Sequence, residues 1–416
     1  MKKFLALLLV AMLSLSCMSV LAEGEQITLK IYAQYADDDT KIPYDYAVEE
    51  LKKAYPNVTL ELIPQAQDDG ATLLGMANTG TLPDIYQTGS GTFSILRSAN
   101  HMMVLDEVAQ KTGFADKVYE SCKEFLYSDD GHIYAFPYAG HEYVLLYVNK
   151  ALFAQYNLEI PTTFEELKEC AKVFNANGIT TLALFAQEGW NAAAMYDIVA
   201  TRYNAGGIKA LDNGSAKITD EAFVKAAEVV ADLAANGVFQ VGATTTNYDQ
   251  ASQMFLNGQA AMFLNGQWYI PDAEKALGEN AAWIYYPAES EAAYEASKNA
   301  FSGGGSLSGY AVNPAGAHAE LAAEVAAFIS EKYCEAKVIL RGSPLVSVNT
   351  GKVNEELPRL MQELVAAIPE MTSNTLFTWG LTNATFTEAI GTWSQALISG
   401  EYTAEEVINE IAAAME

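Results

Sequence analysis

Three tryptophans stand beside glycine or amide residues at positions where strands or loops are expected to end. Trp190 and Trp379 each adjoin a glycine, and Trp268 directly follows Asn265-Gly266-Gln267. The flat apolar face of an indole can cover the C–H face of a sugar ring, while neighbouring amides and carboxylates bind its hydroxyl rim. These residues predict non-covalent capture of a carbohydrate, with Trp268 as its principal contact.

Amide, carboxylate and hydroxyl side chains elsewhere in the chain can bind the polar rim of such a ligand. The candidates are Gln87, Glu142, Asn191, Asn265 and Gln267. Tyr35 and Asp37, which follow the first predicted strand, form a second group. Gly304 lies in a glycine run that either lets the backbone approach a ligand closely or makes a plain turn. Trp283 and Trp393 are predicted core residues, because one lies in an apolar strand and the other on a helix.

Catalytic and metal-binding patterns are the rival interpretation. The histidines are His101, His132, His141 and His318, and no two of them have the spacing of a metal-binding pair. The sequence has no G-x-S-x-G nucleophile motif, and no G-K-[ST] follows its glycine run. Carboxylates are abundant, so a glycosidase pair stays an alternative. We predict a protein without catalytic residues, metal or cofactor, and we retain a secreted glycoside hydrolase as the alternative.

Length and charge limit the classes of protein and of partner. The chain has 416 residues, half of them hydrophobic, which is enough for two domains with separate cores. Its formal net charge is −28. Nucleic acids and anionic membranes call for basic patches, so we expect neither as a partner.

The N-terminus has the features of a targeting segment. Lys2 and Lys3 precede an apolar run over residues 4–15 that is too short for a membrane span. We predict a signal peptide over residues 1–22, cleaved after Ala22. The alternative is lipidation of Cys17, although Ser14 stands where a lipobox has an aliphatic residue. Either route predicts export to the extracellular or periplasmic face of the cell membrane. The other cysteines, at positions 122, 170 and 334, permit at most one internal disulfide.

The chain alternates predicted strands and helices, which indicates an α/β fold. Strands are predicted at 27–33, 58–64, 83–88, 133–139, 143–149, 180–186, 260–264, 283–286 and 310–312. Helices are predicted after Asp45, over 69–78, from Thr162 or Thr163 to Gly178, over 219–236, around 321–328 and over 403–415. Either Thr162 with Glu165 or Thr163 with Glu166 has the spacing of a capping box, as does Thr403 with Glu406.

Five phrases in fixed order resemble one family. They are LPDIYQTGSG, the segment from GHIYAFPYAGHEYVLLYVNK to PTTFEELKEC, FLNGQAAMFLNGQW, FSGGGSLSGYAVNPAGAHAELAAEVAAFI and LISGEYTAEEVINEI. The order resembles that of family 1 extracellular solute-binding proteins of sugar ABC importers. A single element such as the dipeptide Pro-Asp is weak evidence for this family. The ordered set of five phrases spans most of residues 27–415 and is specific evidence.

The resemblance implies a two-lobe periplasmic-binding-protein architecture with hinge crossovers and a ligand cleft between the lobes. Lobe 1 would hold residues 23–138 and 300–341, and lobe 2 would hold 139–299 and 342–416. Trp268 takes the position of the family's stacking tryptophan, and Glu142 that of an acidic ligand contact. The implied partners are a carbohydrate, expected to be an oligosaccharide, and the permease subunits of an ABC transporter. The protein itself is expected to be a monomer. The alternatives are a polyamine or other cationic solute in the same fold, and an adhesion or scaffolding protein.

Overall fold

The computed structural model describes residues 25–68 and 70–415 of the chain. The predicted signal peptide and Cys17 lie outside these residues. The strands are β1 (Ile27–Ala33), β2 (Val58–Pro64), β3 (Ile85–Thr88), β4 (Ala135–Phe136), β5 (Glu142–Asn149), β6 (Thr180–Ala183), β7 (Ala260–Gly266), β8 (Ala281–Ile284), β9 (Ala300–Phe301), β10 (Gly303–Gly304), β11 (Gly309–Val312) and β12 (Ser373–Asn374).

Helices of very different lengths separate these strands. They are α1 (Asp38–Ala54), α2 (Ala71–Asn78), α3 (Ser90–Ser98), α4 (Asp106–Thr112), α5 (Phe114–Lys117), α6 (Lys150–Gln155), α7 (Phe164–Ala176), α8 (Gly189–Ala200), α9 (Gly207–Asp212), α10 (Glu221–Ala235), α11 (Tyr248–Leu256), α12 (Ile270–Leu277), α13 (Glu291–Ser297), α14 (Ala319–Arg341), α15 (Arg359–Ala367), α16 (Ala384–Ser399) and α17 (Ala404–Met415). The predicted α/β class is confirmed.

The first lobe is built on a five-stranded sheet in the order β2-β1-β3-β11-β4. Strand β1 pairs in parallel with β2 and β3, whereas β11 is antiparallel to both β3 and β4. The central strand β3 is buried at all four of its positions, and therefore on both faces of the sheet. On the neighbouring β1, Leu29 and Ile31 share one face and have no exposed surface, whereas Thr28 and Lys30 are exposed. The long helix α14 packs against α1 on this sheet.

The second lobe is built on β10-β5-β7-β6, with β8 also paired to β5. Strand β5 is antiparallel to β7, β8 and β10, and β6 runs parallel to β7. Because β5 begins at Glu142 and β7 ends at Gly266, the register pairs Val144 with Gly266 and brings these two ends to one edge of the sheet. That edge carries several of the predicted ligand residues.

The N-cap of helix α1 lies eight residues before the predicted cap, Asp45, so that prediction was wrong. Asp37 is the N-cap and forms a capping box with Thr40. Pro43 lies inside the helix and leaves the carbonyl of Asp39 without its usual helical N–H. The hydroxyl of Tyr333 donates to that carbonyl at 3.4 Å, so a residue far along the chain compensates for the proline.

The caps predicted for α7 and α17 are confirmed. Thr163 Oγ1 accepts from the backbone N–H of Glu166 at 3.2 Å, and the carboxylate of Glu166 accepts from the N–H of Thr163 at 3.1 Å. Thr403 and Glu406 make the same reciprocal pair at the start of α17. These local signals place both helix starts correctly because each cap needs only residues three apart.

In the structure, the chain crosses between the lobes a few residues after the boundaries that the resemblance implies. Strand β10 pairs with β5, and Phe301 packs in the core of the second lobe, although residues 300–304 were expected in lobe 1. Val346 and Val348 pack in the core of the first lobe, although residues 342–416 were expected in lobe 2. Short antiparallel pairing across the crossovers explains both differences, because these segments pair with one lobe while they lead into the other.

Three observations concern membranes, metals and thiols. Within residues 25–68 and 70–415, no helix combines the length and apolarity needed to cross a bilayer. The same residues contain no group of three or more His, Cys, Asp or Glu side chains placed to hold a metal ion. Cys122, Cys170 and Cys334 are free thiols and are buried.

Candidate ligand-binding site

Four aromatic side chains of the second lobe form one cluster, which we call the aromatic floor: Trp190, Trp268, Phe377 and Trp379. The ring centroids of Trp190 lie 5.8 Å from Trp268 and 5.3 Å from Trp379. Phe377 and Trp379 stack at 4.3 Å with an interplanar angle of 7°. All three tryptophans of the floor are partly exposed. The structure therefore brings together the three tryptophans that the sequence singled out for ligand binding.

Trp190 lies at the start of a helix, and Trp268 lies in a turn. Trp190 is in the first turn of α8, which packs closely on α16: a Cβ on Gly189 would lie 3.5 Å from the Cα of Gly391. Trp268 lies in a 3₁₀ turn that follows β7. Its ring folds back over Gly266, where a Cβ would come within 2.2 Å of the ring. The glycine at 266 is needed because the indole occupies the space of a side chain.

Glu188 is a member of the site that the sequence reasoning missed. Its carboxylate accepts a hydrogen bond from Trp190 Nε1 at 2.8 Å, which fixes the orientation of this indole. Phe377, which stacks on Trp379, was missed as well. A glutamate directly before Gly-Trp at a strand end was the available signal for Glu188, whereas the sequence around Phe377 carries no comparable signal.

Glu142 is the carboxyl group at the start of β5, where the chain crosses between lobes. Burial raises its pKa to about 7, the positive charge of Lys337 opposes this rise, and the negative charge of Asp39 adds to it. A hydrogen bond with the Trp379 side chain also lowers its pKa. The predicted acidic contact therefore adjoins the aromatic floor, and near neutral pH it is present both as a hydrogen-bond donor and as an acceptor.

Three amides predicted for the rim are internal braces in the structure. Gln267 Oε1 accepts from the N–H of Tyr143 at 2.8 Å. Asn191 Oδ1 accepts from the N–H of Phe185, and Asn191 Nδ2 donates to the carbonyl of Leu264. Asn265 Oδ1 accepts from the N–H of Gly266 at 2.8 Å. All three amides are buried, and each bonds backbone groups beside the floor, as buried polar groups require. They support the floor and do not face open solvent.

The predicted residues of the first lobe form hydrogen bonds within that lobe. Gln87 is buried, and its Oε1 accepts from the N–H of Gln34 at 2.6 Å. Tyr35 bonds Asp45, and the side chain of Asp37 caps α1. Burial raises the pKa of Asp37, and the charge of Asp39 raises it further. Burial raises the pKa of Tyr248 in the second lobe, and the negative charge of Asp37 raises it further.

Gly304 and Gly89 each allow a close approach of backbone beside the aromatic floor. Gly304 has a φ of +146°, and a Cβ there would lie 2.2 Å from the carbonyl oxygen of Thr375. The structure thus gives Gly304 a backbone packing role beside the floor. A Cβ on Gly89, in the first lobe, would lie 3.2 Å from the carbonyl oxygen of Trp379. The aromatic floor therefore stands at the boundary between the lobes.

Two α/β lobes with several crossovers, and an aromatic floor beside an enclosed carboxyl group at their boundary, define a two-lobe solute-binding protein. The sequence match agrees: the model of the bacterial extracellular solute-binding proteins matches residues 37–332. The chain belongs to this family.

Relatives and solved structures agree with this assignment. The chain is 24% identical over 251 residues to an uncharacterized ABC transporter extracellular-binding protein of Pyrococcus horikoshii, covering 58% of this chain and 55% of that one. It is 37% identical over 95 residues to a probable sugar-binding periplasmic protein of Rhizobium meliloti, covering 23% of this chain and 22% of that one. The chain spans about half or less of the length of the curated relatives it matches.

The fold itself is shared with solved structures over nearly the whole chain. A structure from work on xylan utilization by Caldanaerobius polysaccharolyticus has a TM-score of 0.82 at 21% identity, covering 94% of this chain and all of that one. A chitin oligosaccharide binding protein has a TM-score of 0.79 at 21% identity, covering 94% of this chain and 98% of that one. The predicted two-lobe fold is confirmed.

Proposed function

We propose that this protein is the extracellular substrate-binding component of an ABC importer and that it captures a carbohydrate, an oligosaccharide, between its two lobes. In this proposal it delivers the sugar to a membrane permease. The observation that carries the proposal is the aromatic floor. The indoles of Trp190, Trp268 and Trp379 are partly exposed there, and their ring centroids lie within 6.2 Å of one another. Three neighbouring indoles offer apolar faces in more than one orientation, which suits a ligand with more than one sugar ring.

The names of related structures support a carbohydrate over other solutes. They come from work on xylan utilization, from a chitin oligosaccharide binding protein and from a protein in complex with raffinose. These names concern those proteins, and their sequences are distant from this one. They supply the sugars to test first.

The charges around the floor favour a neutral ligand over a polyamine. A dication would be held by ionised carboxylates beside the indoles. Here the ammonium of Lys337 is ion-paired with Asp39, and burial raises the pKa of Glu142 to about 7. Glu188 already bonds the indole of Trp190. A cation beside the floor would therefore meet one carboxyl group that is partly protonated and one that already accepts from an indole, whereas sugar hydroxyls can pair with either form of Glu142.

Calorimetric titration with xylotriose, chitotriose, raffinose and spermidine tests the ligand class. We expect one of the sugars to bind and spermidine not to bind. Trp268→Ala should abolish or strongly weaken the sugar signal, while Trp393→Ala, which removes an indole packed on Tyr402 outside the floor, should not. Binding of spermidine alone would favour the polyamine alternative, and a signal that both alanine variants keep would place the ligand elsewhere.

We also propose that the protein binds its sugar without cleaving it, because the solute-binding family is one of transport proteins. Prolonged incubation of the purified protein with each sugar should leave the sugar intact by chromatography. Cleavage products that vanish in Glu142→Gln or Glu188→Gln would instead support the glycoside hydrolase alternative.

Export, lobe division and hinge motion complete the proposal. We infer a protein exported by the segment 1–22, monomeric, and divided near the expected boundaries 23–138 with 300–341 and 139–299 with 342–416. Several crossovers restrict the lobes to hinge motion, and ligand contacts made with both lobes drive closure. Small-angle scattering should show a smaller radius of gyration at saturating sugar, and an unchanged profile at proven saturation would contradict closure.

A further inference from the structure

A buried carboxylate lies seven residues after Trp190 on the same helix. Asp197 has no exposed surface. Its Oδ1 accepts from the N–H of Ile208 at 2.7 Å. Its Oδ2 accepts from Ser302 Oγ at 2.6 Å and from Thr375 Oγ1. Three donors from three separate segments thus converge on one side chain inside the second lobe.

The two hydroxyl donors belong to the segments that border the aromatic floor. Ser302 directly precedes β10, and its carbonyl accepts from the N–H of Val144 on β5 at 2.9 Å. Thr375 Oγ1 also accepts from the N–H of Gly303 at 3.2 Å, which joins the two segments to each other. Thr375 is two residues before Phe377 and four before Trp379. One carboxylate therefore connects the helix of Trp190 with the segment that carries the stacked Phe377–Trp379 pair.

The packing around this carboxylate leaves little room for adjustment. A Cβ on Gly207, whose φ is +48°, would lie 2.2 Å from Asp197 Oδ1 and 2.7 Å from Thr375 Cγ2. The positive charge of Arg202 acts on Asp197, but Arg202 itself donates to Thr201 and to the carbonyl of Ala300. The hydroxyl and amide donors are thus the direct partners of the carboxylate. A buried group with three donors holds its neighbours in one arrangement, because losing a donor leaves a buried acceptor short of a bond.

We propose that Asp197 is a positioning residue for ligand binding, which fixes Phe377 and Trp379 against Trp190 through Ser302 and Thr375. It touches no ligand and acts only through the geometry of the floor. The positioning stands on the contacts of the described residues, and its effect on sugar affinity rests on the function proposed above.

Substitution of Thr375 tests this role with less risk to folding than substitution of the buried carboxylate. Thr375→Val removes the hydroxyl and keeps the shape of the side chain, and Thr375→Ser keeps the hydroxyl. Thr181→Val is the matched control: Thr181 is also fully buried in the second lobe, and its Oγ1 has no hydrogen-bond partner among the described residues. Asp197→Asn adds a second route to the same network.

Two measurements separate a change in the geometry of the aromatic floor from a change in sugar affinity. Near-ultraviolet circular dichroism of the free protein reports the mutual orientation of the tryptophans without any sugar. Titration with xylotriose, chitotriose and raffinose reports affinity. Thr375→Val and Asp197→Asn should change the tryptophan signal and weaken binding by roughly five- to tenfold, the effect of about one lost hydrogen bond. Thr375→Ser and Thr181→Val should match the wild type in both.

Each outcome decides the proposal. An unchanged tryptophan signal in folded Thr375→Val and Asp197→Asn would overturn the positioning role, as would an equal loss in Thr181→Val. A changed signal in a protein whose wild type binds none of the three sugars would support the positioning role and contradict the proposed function. A changed signal together with weakened sugar binding, restored in Thr375→Ser, supports both.

Discussion

A methyl group added at Gly266 would occupy space that the indole of Trp268 now fills. The added Cβ would lie 2.2 to 2.4 Å from three atoms of the indole ring, whereas ordinary contacts begin at 3.4 Å. The backbone itself tolerates alanine, because the φ of Gly266 is −79°. The substitution Gly266→Ala therefore acts on the indole, which has to move by roughly 1 Å or more.

The size of the effect follows from the contact that the indole would lose. A sugar ring that covers about half of an indole removes ~100 Å² of aromatic surface from water, which contributes ~2.5 kcal/mol. Loss of about half of that contact on displacement would weaken binding roughly tenfold. The overpacking should also lower the free energy of unfolding by about 1–3 kcal/mol.

Calorimetric titration with the bound sugar, together with near-ultraviolet circular dichroism, would measure both effects. Gly75→Ala is the matched control, because Gly75 lies inside α2 and a Cβ there would meet nothing within 4 Å. That variant should bind as the wild type does and gain a few tenths of a kcal/mol to about 1 kcal/mol in stability. Wild-type affinity and an unchanged tryptophan signal in Gly266→Ala would refute the role assigned to Trp268.

Three further predictions concern the floor, the carboxyl group and the lobe contact. Trp268→Ala should weaken binding by roughly 50- to 100-fold, and Trp268→Phe by less, because phenylalanine keeps an aromatic face; unchanged calorimetric affinity would make this indole a packing residue. The folded-state pKa of Glu142, about 7, exceeds the ordinary 4.5, so the folded state holds this proton more tightly and stability falls as pH rises between these values, by up to about 3 kcal/mol. Glu142→Gln should therefore be more stable than the wild type at about pH 8 and not at about pH 4, by chemical denaturation, and an equal difference at both values would contradict the shift. Asp272→Asn removes the carboxylate that Arg341 Nη2 contacts at 3.2 Å across the lobes, so sugar affinity should fall severalfold at low salt and less in 1 M salt; a loss independent of salt would exclude an electrostatic contact.

Local patterns predicted the elements that depend on neighbours in sequence. Strand β1 was predicted with its observed bounds, Ile27–Ala33, because its alternation of apolar and polar residues is a local pattern. The caps at Thr163 and Thr403 were equally local. The start of α1 was missed because Pro43 normally argues against a helix interior, and the compensating hydroxyl of Tyr333 lies 294 residues away. Sequence spacing carries no information about that partner.

At the candidate site, too, the sequence predicted the types of residue but not their hydrogen-bond partners. The indoles of Trp190, Trp268 and Trp379 were identified by type and by their places at strand or loop ends, and the structure brings them together. Gln267 and Asn265 have residue types that suit a sugar rim equally well, yet they bond backbone groups beneath the floor. Only the fold decides which amides meet unsatisfied backbone groups, so sequence alone cannot separate a rim amide from a brace.

The braces explain how turns and helix ends from distant parts of the chain can form one ligand surface. Trp190 is fixed by Glu188, the ring of Trp268 rests on Gly266, and Trp379 stacks on Phe377. Each of these contacts is made between residues of the protein itself, so binding need not spend free energy on ordering the indoles that they hold. If the floor is preorganised in this way, substitutions beneath it should weaken binding without touching the ligand, which is the result expected for Gly266→Ala and Thr375→Val.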